Sequence, residues 1–249
     1  MPGLLTEGVT QVLITIVMPC LNEEVAIGRT IDEIPFDTLK EMGCEVELLV
    51  IDGGSSDASG DLARSRGAKV LLSERGYGRQ CRLGFDHAGG EIIVTADCDA
   101  TYPLSNIPRI LKTLKEGTFD FVTVNRFAGV APGAMHTINR IGNIFLTSVA
   151  NLLFRLNLKD SQSGMWAFRK PALEKMDLTS DGWPFAGEIK IEALRKLRSV
   201  EIPGSYKHRI GNTKLKCFRD GWTIFCFMVK KKGKEFCNIQ GQAQDHQHS

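Results

Sequence analysis

The stretch VLITIVMPCLNEEVAIGRTIDEI, residues 12–34, sets the architecture of the chain. Its first seven residues, 12–18, are an apolar run broken only by Thr15. Such a run reads as a strand buried on both faces, as in parallel sheets. Further on the period changes. Val25, Ile27, Ile31 and Ile34 fall at near-helical spacing, so a helix follows the strand. The polar cluster PCLNEE lies at the junction. The same order then repeats. VELLVI (46–51) is a second buried strand, followed by DGGSSD and a helix over 57–67 that stops on Gly67. AKVLL is a short third strand. GRQCRLGFDHAGG (78–90) reads as a third helix, and EIIVTA (91–96) as a fourth strand that runs into DCDA. Alternation of this kind predicts an α/β fold, with a mostly parallel sheet covered by helices on both faces. The polar clusters fall where strands end, and open parallel sheets bind ligands beyond the carboxyl ends of their strands.

The second half changes character. SNIPRILKTLKEG (105–117) is an amphipathic helix, and FDFVTVNRF is a strand leading to Arg126. Residues 135–157 form a long, strongly apolar helix. DSQSGMWAFRK follows, then a helix over 186–198 and a strand in VEIPGSY. There is no internal repeat and no long linker. The expected organisation is one catalytic domain over 1–216, then a C-terminal amphipathic extension and polar tail over 217–249. The tail GQAQDHQHS is expected to be disordered.

Bulk composition excludes several classes. At 249 residues and 43% hydrophobic content, the chain can bury one sizeable core. A formal charge of +2 is too mild for nucleic acid as the main partner. Seven cysteines without paired spacing make neither a disulfide framework nor, lacking C-x-x-C, a zinc site. Reduced thiols in the cytoplasm are the simplest reading. MPGLLTEGVTQ lacks the basic-then-apolar order of a signal peptide. No stretch approaches the ~20 apolar residues of a membrane span.

The fourth strand ends on Asp97 and Asp99. At i, i+2 their side chains lie on one side if the strand continues. Two like charges held close repel each other unless a cation sits nearby. The alternative is an ordinary solvated turn.

VMPCLNEE, VIDGGSSD, ADCDATYP, SQSGMWAFRK and EIPGSYKHRIGNTKL together resemble the inverting family 2 glycosyltransferases. Within that family they are most similar to the polyprenol-phosphate and dolichol-phosphate sugar transferases, with an archaeal flavour. The resemblance covers about residues 12 to 216. It implies a GT-A fold: a Rossmann-like, nucleotide-sugar-binding α/β domain, here with a C-terminal helical extension. It also implies a divalent cation, Mg²⁺ or Mn²⁺, a nucleotide-sugar donor and a polyprenyl or dolichyl phosphate acceptor. Three motifs depart from the family pattern. Thr101 stands where a glutamine is common, DGGS replaces DDGS, and Met165 and Trp166 follow the SG motif.

By the resemblance, Asp99 ligates the metal, while Asp97 faces the ribose or the metal shell. Both count as catalytic and metal-site candidates. Pro19, Asn22 and Glu23 resemble the family's base- and ribose-contacting loop. Asp52 ends an apolar strand, so its carboxylate can accept from a uracil imide or a guanine N–H. Asp57 either joins the donor site or caps the second helix. Arg79, near a helix start, either meets the donor phosphates or is solvated. Arg126, Arg209 and Lys214 sit in motifs the family uses near the acceptor phosphate, and Arg126 and Arg209 are also catalytic candidates. Arg offers a bidentate phosphate contact and Lys a mobile point charge. Gln162 and Ser163 can donate to phosphate or sugar, and Gly164 lets the backbone approach closely.

A hydroxyl acceptor needs a general base, whereas a phosphate monoester is already ionised near neutral pH. The leading expectation is therefore hexose transfer, UDP-sugar favoured and GDP-mannose possible, to a lipid phosphate. A transferase acting on a sugar hydroxyl, with Glu188 as base, is the alternative, as is a non-catalytic nucleotide-sugar-binding protein. Glu188 reads better as a sugar or structural contact. The run GWTIFCFMV (221–229) followed by KKKGK predicts peripheral contact with the cytoplasmic face of a membrane. Trp222, Phe225 and Phe227 would lie at the headgroups and the lysines on anionic lipid. A last core helix with a solvated tail is the alternative.

Overall fold

The structure is a computed structural model that describes residues 11–245, with side chains through Cys237. The signal-peptide reading and the last four residues of the tail lie outside it. The strands are β1 (Val12–Cys20), β2 (Cys44–Asp52), β3 (Lys69–Leu72), β4 (Ile92–Thr95), β5 (Phe121–Asn125), β6 (Trp166–Arg169) and β7 (Ser199–Pro203). The helices are α1 (Ile27–Asp32), α2 (Phe36–Glu41), α3 (Ser59–Arg64), α4 (Tyr77–His87), α5 (Ile107–Glu116), α6 (Thr137–Phe154), α7 (Phe185–Lys196) and α8 (Cys217–Asp245). One seven-stranded sheet runs in the order β3-β2-β1-β4-β6-β5-β7.

Side-chain alternation divides the core into two layers. Ile14, Ile16 and Met18 of β1 point to one face, where they meet Ile27, Ile31, Leu39 and Ile110. Val17 points to the other face, with Phe85 of α4 and Phe185 and Ile189 of α7. Both faces are covered, which is why β1 carries no alternating polar residues. The register sets Cys20 beside Asp52 and Val17 beside Thr95, so the ends of β1, β2 and β4 form one rim.

Three elements depart from the sequence expectation. Strand β6 lies antiparallel between β4 and β5, in a segment to which the sequence reading assigns no strand. Its Trp166, Ala167 and Phe168 are fully buried, so the apolar run MWAF marks a strand. Helix α2 fills the connection before β2, where Leu39 completes the first core layer. The polar tail expected to be disordered instead continues α8 to Asp245. Extending an existing helix costs far less than nucleating one.

Helix α6 buries only Leu146, Thr147, Ala150 and Phe154. Leu146, Ala150 and Phe154 pack with Ile191 of α7 and Ile224 and Met228 of α8. Its other face leaves Ile138, Ile141 and Phe145 about half exposed. Among the described residues no helix is long and apolar enough to cross a membrane.

Candidate active site

Beyond the ends of β1 and β4 opens a cavity of about 790 Å³. Asp97, Asp99 and Glu23 meet at its polar end. The chain turns sharply at Ala100, whose φ is +62°. That turn lets the backbone N–H of Thr101 donate to Asp99 Oδ1 at 3.0 Å and its hydroxyl donate at 2.6 Å. Thr101 thus orients the carboxylate that the resemblance gives to a metal. Asp99 Oδ2 accepts from Arg209 Nη1. The other terminal nitrogen of Arg209 donates to Glu23 Oε1, which Lys214 Nζ also reaches at 3.1 Å. Glu23 Oε2 is buried and has no partner among the described residues.

Burial dominates the electrostatics of these carboxylates. Desolvation raises the Asp97 pKa to about 7, reinforced by the charge on Asp99. Burial also pushes Glu23 up, against the opposing pull of Arg209 and Lys214. Tyr77 donates to Asp97 Oδ1 at 3.4 Å. Gly164 presses against the same carboxylate, and a Cβ there would collide with Asp97 Oδ2. Crowded carboxylates with an orphaned oxygen fit a divalent cation. Among the described residues no three His, Cys, Asp or Glu side chains form a ready-made cage. A hard cation held by one or two carboxylates, its remaining positions filled by water or phosphate oxygens, fits that arrangement.

The predicted donor residues separate into two groups. Pro19 and Glu23 line the cavity. Asn22 is left-handed at φ +51°, and its side-chain oxygen accepts from Ser56 N at 2.8 Å, tying the first polar loop to the second. Asp52 is buried and accepts from Ser55 N at 2.8 Å, outside the cavity lining. Asp57 accepts from Ser59 N at 3.0 Å and Glu24 N at 3.2 Å, so it orders the start of α3 rather than facing the cavity. Arg79 also faces away, paired with Glu74 and with Asp181 at 2.9 Å. Arg75 lines the cavity in its place. The backbone turns at Gly76, φ +144°, just before α4 begins, and that turn sends the two arginines in different directions.

The acceptor candidates are also redistributed. Arg126 lines the cavity and is held by Asp160 through two contacts of 2.6 and 2.8 Å. Burial opposes the charge on Arg126, but Asp160 more than offsets it and keeps the guanidinium firmly protonated. Gln162 lines the cavity. Ser163 does not: it is fully buried, and its hydroxyl accepts from Lys190 Nζ at 2.7 Å. Arg209 and Lys214 lean onto the carboxylates rather than standing free. Glu188 is fully buried and accepts from Thr179 N, Thr179 Oγ1 and Ser180 N, a structural role. Sequence reasoning missed Asp160 and Lys190. Asp160 opens DSQSG, but its partner lies 34 residues away. Lys190, set between Ile189 and Ile191 in a fully buried helical turn, was the more visible signal.

The profile of Glycosyl transferase family 2 matches residues 15–177. The chain belongs to this family. Among curated proteins it is 34% identical over 220 residues to the low-salt glycan biosynthesis hexosyltransferase Agl6 of Haloferax volcanii, covering 87% of this chain and 53% of that protein. The chain thus spans about half the length of that relative. It is 33% identical to the dolichyl-phosphate hexose transferase of the same organism, covering 87% of this chain and 92% of the relative. In fold it is similar to glucosyl-3-phosphoglycerate synthase from Mycobacterium tuberculosis, solved with Mn²⁺, UDP-glucose and phosphoglyceric acid. The TM-score is 0.72 at 19% identity, over 94% of this chain and 86% of that one.

The glycosyltransferase has a second, apolar end to its cavity. Ile138, Ile141 and Phe145 of α6 face Phe218, Trp222 and Phe225 of α8 there. Phe225 stacks between Phe145 and Trp222, with ring centroids 6.1 and 5.4 Å away. Phe227 is outside this lining, because five helical residues carry it well round the helix from Trp222. The lysines after the run are not all free for lipid. Lys231 reaches Glu192 at 2.9 Å and Glu188 at 3.3 Å, and Lys232 reaches Glu235 at 3.4 Å.

Proposed function

We propose that this glycosyltransferase moves one hexose from a nucleotide diphosphate sugar to a polyprenyl or dolichyl phosphate, with inversion. The observation that carries the reading is a single cavity with a carboxylate-rich end and an apolar end. A lipid phosphate is a ligand with the same two-part chemistry. Asp97 and Asp99 would hold Mg²⁺ or Mn²⁺, which supplies charge neutralisation for the departing nucleoside diphosphate. Pro19 and Glu23 border the donor, and Arg75 offers its phosphates a cation. Arg126, fixed by Asp160, and the Arg209–Lys214 loop offer cations to the acceptor phosphate.

The acceptor oxygen attacks the anomeric carbon from the face opposite the leaving group, so one displacement gives one inversion. An ionised phosphate needs no general base. The engagement of both Glu188 oxygens supports that reading over the hydroxyl-acceptor alternative. The sequence resemblance favours a UDP-sugar as donor, with GDP-mannose as the other candidate. The exposed apolar residues of α6 and α8 suit peripheral contact with a membrane that presents the lipid.

The test incubates the purified protein with Mn²⁺, dolichyl phosphate in liposomes, and UDP-glucose, UDP-N-acetylglucosamine or GDP-mannose in turn. Appearance of a lipid-linked hexose is the expected result. Transfer to a soluble glycan with none to the lipid would overturn it.

A further inference from the structure

A loop beside the cavity is fastened far more firmly than its length requires. It joins β6 to α7 and carries Trp183. Glu192 accepts from Asp177 N at 3.0 Å, and Glu188 accepts from Thr179 N at 3.0 Å and Ser180 N at 2.8 Å. The Asp181 carboxylate binds Arg79 and Arg82, and its carbonyl accepts from Arg79 N at 3.1 Å. Gly78 has no room for a Cβ against the carbonyl of Ser180. These contacts hold the loop to α7 on one side and to the start of α4 on the other.

The result is a fixed aromatic pair. Trp183 stacks on Tyr77 with centroids 5.5 Å apart and planes 17° apart, and both line the cavity. Tyr77 in turn donates to Asp97. Trp183 also packs against the cluster of Ile224 and Met228. The indole therefore stands where the carboxylate end gives way to the apolar end.

We propose that Trp183 is a specificity-determining residue that seats the transferred hexose. This rests on the donor and acceptor reading above. The anomeric carbon must lie between the donor phosphates and the acceptor phosphate, and Trp183 lines that same cavity one aromatic ring away from Asp97. A pyranose offers a C–H face to an aromatic plane and hydroxyls to an indole N–H. An aromatic held rigid before binding contributes affinity without an ordering cost. The lipid has its own aromatic surface further along, at Phe218 and Trp222.

The experiment measures dissociation constants with Mn²⁺ and no acceptor, for UDP against UDP-glucose and UDP-N-acetylglucosamine, and for GDP against GDP-mannose. Wild type, Trp183→Phe and Trp183→Ala are compared, with melting temperatures to check folding. The expected result is that Trp183→Ala weakens the preferred nucleotide sugar at least tenfold and its parent nucleotide less than twofold. Trp183→Phe, which keeps the ring packing and loses the N–H, should fall between. Equal weakening of sugar and parent nucleotide would overturn the proposal. So would an unchanged donor constant with a raised acceptor KM. If wild type binds none of the nucleotides, the donor reading itself fails, which is a separate outcome. If Trp183→Ala does not fold, the Trp183→Phe comparison decides.

Discussion

Arg209 joins Asp99 to Glu23, with one terminal nitrogen on each carboxylate. The guanidinium thus occupies the neighbourhood that a divalent cation would enter. Arg209→Gln should leave the carboxylates less compensated and lower metal-free stability by about 1–3 kcal/mol. Mn²⁺ should then stabilise the variant more than wild type. Thermal melts with and without Mn²⁺ check this. An equal Mn²⁺ effect on both proteins would mean that the guanidinium does not compete.

Asp97 sets a pH dependence. Its pKa is about 7 in the fold and 3.8 as the ordinary value. Between those values the folded protein holds more protons than the unfolded chain, so stability falls as pH rises through that window. Below it the cost is absent, and above it the cost is complete. The metal-free difference in unfolding free energy between wild type and Asp97→Asn, read from denaturant melts, should therefore grow from about pH 4 to about pH 7, by at most ~1.4 kcal/mol per pH unit. A difference that stays flat would show that Asp97 ionises normally.

Glu188→Gln should separate structure from chemistry. The loss of charge beside Lys231 and the Thr179–Ser180 loop should cost about 1–3 kcal/mol of stability. Turnover with a lipid phosphate, assayed well below the melting temperature, should stay within about tenfold of wild type. A folded variant with turnover reduced many thousandfold would favour a hydroxyl acceptor.

Phe218 and Trp222 are 81% and 66% exposed, so their removal should leave the core intact. The double variant Phe218→Ala, Trp222→Ala should raise the KM for dolichyl phosphate and reduce liposome binding, with the donor constant unchanged. Co-sedimentation and steady-state kinetics read the two effects. Unchanged acceptor kinetics would remove α8 from the lipid site.

The carboxylate end of the cavity was readable because strand ends are local events. An apolar run that stops on Asp97 or on Pro19 declares its own rim position. The basic residues were harder to place. Arg79 stands nearer the start of the helix read from sequence, yet its pairing with Asp181 turns it away and Arg75, before the turn at Gly76, lines the cavity. Beside Gly164, Ser163 reads as a ligand contact, but the buried Lys190 donates to its hydroxyl. Lys231 reads as a lipid-facing lysine, but in the fold it pairs with Glu192 of α7.

Local sequence was enough for the α/β alternation, the family and the Asp97–Asp99 pair. Each of these depends on neighbours within a few positions, where periodicity and strand ends govern. Three relations needed the folded chain: β6 running antiparallel between β4 and β5, Asp160 holding Arg126, and Trp183 reaching the cavity. They join segments tens of residues apart, and their partners are chosen by packing and charge compensation across the fold.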